Sequence, residues 1–173
     1  MPRQRPRRGS WRRIAPALIG TAVLGACQDP PRGPSCPEGT VRDAGRLERL
    51  HQRLFTDPDA RALVVATHGR YVVCFGDGIE PGVDARHRVR LDRGQDDRSS
   101  AAKLGHLLVH VSRGLPFVDG DTRPCAERLA RARTLEEAAH DQESRLRRRF
   151  GLPALDEGAV ERVMAGYRLR CQH

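Results

Sequence analysis

Hydrophobic residues recur along this chain in two periods, and the periods divide it into elements. Leu47, Leu50 and Leu54 stand three and four positions apart behind Thr40 or Asp43, either of which can cap a helix, and Asp57-Pro58 stops it. Ala62 to Thr67 is rich in β-branched residues, His68-Gly69 offers a tight turn, and Tyr71 to Phe75 is apolar again, so the pattern predicts a hairpin. From His87 to Leu91 the alternation is strict: Val89 and Leu91 share one face, Arg88 and Arg90 the other. The period then returns to helical. Asp97 or Ser99 opens a helix reaching about Ser112, with Ala101, Leu104, Leu108 and Val111 on one stripe and Gly114 and Pro116 beyond it. Pro124 suits a first helical position and starts a long helix to Phe150, ended by Gly151 and Pro153. Asp156 opens a last helix striped by Val160, Val163, Met164 and Tyr167. The layout is α+β: a small antiparallel or mixed sheet of about three strands packed with four helices over residues 40–173.

The first thirty residues follow another logic. Residues 1–13, ending in Trp11-Arg12-Arg13, hold six arginines and no acid, and Ile14 to Ala26 is a short run of small and aliphatic residues. A basic segment followed by an apolar run of about 7–15 residues is the physical form of a secretion signal, and the run is shorter than the roughly 20 residues a membrane-spanning helix needs. Its end, Leu24-Gly25-Ala26-Cys27, resembles the lipobox of bacterial lipoprotein precursors. That resemblance implies cleavage after residue 26, lipidation of Cys27 and a membrane anchor. The following Gln28-Asp-Pro-Pro-Arg-Gly-Pro-Ser35 reads as a flexible tether over residues 27–39. Gln28 rather than Asp after the lipidated position favours the outer membrane, by resemblance to enterobacterial sorting.

This reading changes the charge balance. The whole chain carries a formal +9, but loss of six arginines leaves 25 basic and 22 acidic residues, a net +3. The basic excess therefore belongs to targeting and argues against nucleic acid as a partner. With Cys27 lipidated, Cys36, Cys74, Cys125 and Cys171 remain, an even set that implies two disulfides in an exported protein. Three connectivities are possible; Cys36–Cys171 with Cys74–Cys125 would clamp the domain's ends together. No Cys-x-x-Cys pair supports a four-cysteine zinc site. Asp77, Asp119 and Asp121 stand beside glycines but lack the spacing of a twelve-residue calcium loop, so they read as turn residues. Arg145, Arg147, Arg148 and Arg149 fit a solvated face near a helix C-terminus.

One constellation bears on chemistry. In Ala101-Ala-Lys-Leu-Gly-His106-Leu-Leu-Val-His110 two histidines sit four residues apart on a helix, close enough to share an ion. They lie opposite the apolar stripe, toward a cleft or solvent. The motif and the order of elements over residues 43–150 resemble the zincin metallopeptidases, whose helix carries His-Glu-x-x-His and whose later helix supplies a third ligand. The resemblance implies zinc held by His106, His110 and an acid from the later helix, with Glu137 first and Glu136, His140 and Glu143 behind it. The residue after the first histidine is Leu107, where zincins place the glutamate that moves the proton of the reaction. Such proton transfer is worth about 10²–10⁴-fold in rate, so the expected role is binding of metal, peptide or an envelope partner by a monomeric, lipid-anchored protein. Slow metal-dependent hydrolysis using Glu136 or Glu143, and a metal-free interaction role, are the competing readings. His51, His68, His87 and His173 read as surface or turn residues.

Overall fold

The computed structural model describes residues 34–118 and 120–171. Cys27, Asp119 and His173 lie outside the described residues. Five helices and three strands follow one another as α1 (Ala44–Leu54), α2 (Pro58–Thr67), β1 (Val72–Gly76), β2 (Gly82–Val83), β3 (Arg88–Asp92), α3 (Asp97–Arg113), α4 (Cys125–Arg149) and α5 (Ala159–Arg170). The class is α+β, with a mixed three-stranded sheet ordered β1-β3-β2. β3 lies at its centre, parallel to β1 and antiparallel to β2.

The caps explain most of the boundaries. Asp43 accepts a hydrogen bond from the Arg46 amide at 2.8 Å and opens α1, whose Leu50 and Leu54 are fully buried. Asp96, one residue before the expected caps, accepts from the amides of Arg98 and Ser99 and opens α3. On β3, Val89 and Leu91 are buried and Arg90 is exposed, as their alternation requires.

The expected hairpin does not form. Residues 62–67 belong to α2, because Asp57 caps the amides of Asp59 and Ala60 and Pro58 takes the first helical position. Ala60, Val64 and Thr67 then bury one helical stripe, and capping with packing outweighs the weak β preference of Val and Thr. Among the described residues the helices are therefore five rather than four, and β1 finds its partner in β3.

Two disulfides are present, with a different connectivity from the expected clamp: Cys36–Cys74 and Cys125–Cys171. Each bridge joins nearer segments. Cys36 is tied to β1, where Val41 also pairs with Phe75, so the chain is held from Cys36 onward, within the segment read as tether. Cys125 and Cys171 join the start of α4 to the end of α5.

α3 runs through the middle, packed against α1, α2, α4 and β3. Between Ser100 and Val111 every residue except Lys103 is buried, so this stretch is covered nearly all round although it carries two histidines. Gly105 lets α4 approach closely: a Cβ at that position would stand 2.3 Å from the Leu146 side chain. Arg46 crosses from α1 as a buried cation, lying over the Phe75 ring and bonding to Asp97, Ser100 and the carbonyls of Arg93 and Gln95.

Candidate metal centre

α3 and α4 bring a histidine pair and two carboxylates together in the protein interior. His106 and His110 are 6% and 3% exposed, so the pair does not face solvent; α4 covers it. The buried stripe of α4 is Ala132, Leu135, Glu136, Ala139, Gln142, Glu143 and Leu146, and its two acids meet the two histidines. Glu137 lies about 100° round the helix from Glu136. Its side chain is 55% exposed and pairs with Arg133 at 3.8 Å, so it takes no part in the group. The acid that joins the pair is Glu136, only 3% exposed. The apolar spacing of α4 carried this signal, because Glu136 falls on the stripe set by Ala132, Leu135 and Ala139 and Glu137 does not.

The three side chains converge on one another. His106 Nε2 and His110 Nε2 are 3.2 Å apart. Glu136 straddles them, with Oε1 3.6 Å from His110 Nε2 and Oε2 3.7 Å from His106 Nε2. A tetrahedral ion with bonds of about 2.0–2.1 Å has ligand–ligand edges of about 3.3–3.4 Å; the histidine pair matches that edge, and each of its nitrogens has a different Glu136 oxygen within 3.7 Å. These residues could hold a metal ion.

The surroundings suit that arrangement. Glu143 Oε2 lies 3.1 Å from His106 Nδ1, though without hydrogen-bond alignment, so that buried nitrogen keeps no well-formed bond. A carboxylate at Nδ1 favours the tautomer with its proton there, which turns the Nε2 lone pair toward His110 and Glu136. Without an ion, one of the two facing Nε2 atoms must carry a proton for the other to accept; with an ion, both can present lone pairs. Glu143 is held in turn by Lys103 Nζ at 2.6 Å and by Arg147 at 3.8 Å. Tyr167, from α5, donates to Glu136 Oε1 at 2.8 Å. His140 approaches from the side, its Nε2 3.8 Å from Glu136 Oε2 and its ring 4.8 Å from that of His106. His106, His140 and Glu143 form a second grouping close enough to hold an ion, sharing His106 with the first.

Protonation follows from burial and charge. Burial pulls the His106 imidazole down to about 4, against the upward pull of Glu143, so the ring is neutral near pH 7. Burial likewise lowers His140. Burial pushes the Glu143 carboxyl up, but His106 and Lys103 outweigh it and hold the group at about 2. Glu136 is also raised by burial and lowered by more through His110, Tyr167 and His106, so it ends below its ordinary value. Neutral imidazole beside ionised carboxylate is the state a metal ligand set requires.

The group opens into a cleft of about 460 Å³. Its apolar wall includes Val83, Leu107, Leu115, Phe117 and Val163, and Phe117 stacks on Tyr167 with ring centres 5.3 Å apart. Leu107 occupies the place after the first histidine, 4% exposed. Of the scattered histidines, His51 is half-buried and bonded to the Tyr71 hydroxyl at 2.7 Å, while His68 is exposed at the end of α2. Compared with known proteins, the chain matches no family model, no curated protein and no solved structure.

Proposed function

We propose that this is a lipid-anchored protein of the bacterial cell envelope whose domain binds a divalent transition metal of the zinc class through His106, His110 and Glu136. The observation that carries the reading is the buried meeting of two Nε2 atoms 3.2 Å apart with the Glu136 carboxylate, which has one oxygen within 3.7 Å of each. Two imidazoles and one carboxylate form a donor set that suits zinc. Three protein ligands would leave a tetrahedral ion one position for a further ligand. The His-x-x-x-His helix with an acid from a following helix supports kinship with zincins.

Binding rather than hydrolysis is the role these residues favour. A zincin needs a carboxylate free to take a proton, and Leu107 supplies none. Glu136 is engaged as a ligand and by Tyr167, and Glu143 by Lys103 and His106. Neither is free to serve as the base. The anchor rests on Leu24-Gly25-Ala26-Cys27 after the basic and apolar run, and two disulfides suit an oxidising compartment.

Metal content of the purified chain tests the reading. Mass spectrometry should find about one zinc per chain, removed by the His106→Ala/His110→Ala double variant. A chain that takes up no metal, or a double variant that keeps it, overturns the reading. Cys27→Ser should leave the precursor uncleaved and unlabelled by radioactive palmitate; normal labelling refutes the anchor.

A further inference from the structure

We infer that the cleft beside the metal site takes a small monocarboxylic acid with an aromatic or aliphatic body, its charge met by the bound cation together with Arg170. The inference rests on the metal reading above and adds the class of ligand.

Three observations lead to it. The first is size: about 460 Å³ suits a small organic molecule rather than a folded partner. The second is the wall, where Phe117 is stacked on Tyr167 and covered by the Arg128 guanidinium 4.2 Å from its ring centre, and Val83, Leu107, Leu115 and Val163 supply the apolar surface. That wall needs an apolar body.

The third is charge. Lys103, Arg162 and Arg170 line the cleft against Glu80 and Glu136, and a divalent ion adds two further positive charges. The three cations differ in what already holds them. Lys103 is paired with Glu143, and Arg162 with Asp156. Arg170 makes no ion pair or side-chain hydrogen bond among the described residues; its guanidinium lies 5.8 Å from the centre of the Phe117 ring. It follows Tyr167 by one turn of α5, and Tyr167 bonds Glu136 directly. An uncommitted guanidinium, an apolar wall and the proposed metal site therefore border one space. A carboxylate satisfies the cations, as an amide or an alcohol cannot.

Calorimetric titration of the purified full chain with 3-phenylpropanoate and its amide, before and after zinc loading, tests this. Zinc uptake is measured first, and its absence overturns the metal reading and this inference together. With zinc bound, the acid should bind at least about tenfold more tightly than the amide, and about tenfold less tightly to metal-free protein. Arg170→Gln, an exposed position on α5 outside the metal ligands, should keep its zinc and weaken the acid by about tenfold while leaving the amide unchanged. Equal binding of acid and amide by the loaded protein overturns the inference and leaves the metal reading standing. So does an Arg170→Gln variant that binds the acid as the unsubstituted chain does.

Discussion

Gly105→Ala tests the packing on which the whole site depends. The added Cβ would stand 2.3 Å from Leu146 Cδ1, 3.6 Å from Leu54 Cδ2 and 3.8 Å from Gln142 Cγ. Ordinary carbon contacts lie at about 3.5–4.0 Å, so the first is too close by more than an ångström. Leu146 and Leu54 are both fully buried, which leaves little space for either to turn away. Overpacking of this kind costs about 1–3 kcal/mol, while replacing glycine by alanine within a helix returns about 1 kcal/mol. The expected net effect is a loss of up to about 2 kcal/mol, or up to roughly 8 °C in Tm for a domain of this size. The effect should reach the candidate metal site, because α4 carries Leu146 together with Glu136 and Glu143. Pushing α4 outward lengthens ligand edges that a metal tolerates only within a few tenths of an ångström. Urea unfolding of metal-free protein measures the first effect as a lower midpoint at unchanged slope, and zinc titration measures the second. Gly166→Ala is the control: it lies inside α5 with nothing within 4 Å of the new Cβ, and should stabilise by about 0.5–1 kcal/mol. If Gly105→Ala proves as stabilising as Gly166→Ala, the close approach of α3 and α4 is wrong, and so is the geometry of the site.

Other expectations follow from the same contacts. Glu143→Gln should weaken zinc binding by about 10–100-fold by removing the charge beside His106 Nδ1, whereas Glu137→Gln should leave it unchanged; equal effects in competitive chelator titrations refute the assignment of roles. Arg46→Ala should cost about 3 kcal/mol by stripping a buried cation from its bonds to Asp97, Ser100 and two carbonyls, and a urea midpoint within error of the unsubstituted chain would contradict it. Metal-free protein should lose stability in acid. The His106 pKa is about 4 in the fold against an ordinary 6.5, so the unfolded chain binds more protons between those values and stability falls as pH drops through them. Glu143, held at about 2 against 4.5, extends the loss to lower pH. Urea midpoints that stay constant from pH 7 to 4 would show that His106 is not buried as a neutral ring.

Signals that act within about one helical turn were legible in the sequence. Asp43 ahead of the Leu47–Leu50–Leu54 spacing gave α1, the alternation about Val89 and Leu91 gave β3, and the histidine spacing placed two ring nitrogens on one side of α3. These depend on hydrogen bonds and periodicities that close over three or four residues, which tertiary contacts here reinforce. The run at 62–67 marks the limit of such reasoning, since its β-branched residues and the cap at Asp57 pull in opposite directions and burial of Ala60 and Val64 settles the contest. Three matters were left to the tertiary structure. The cysteine pairing depends on which segments lie side by side, and an even count cannot rank the alternatives. The choice of Glu136 over Glu137 turns on about 100° of helix rotation, fixed by which face of α4 is pressed on α3. The burial of the histidine pair depends on α4 closing over it at Gly105, a contact formed across some forty residues of chain. The sequence thus determined the helix that bears the two histidines, and packing alone decided which acid meets them and what sort of cleft they face.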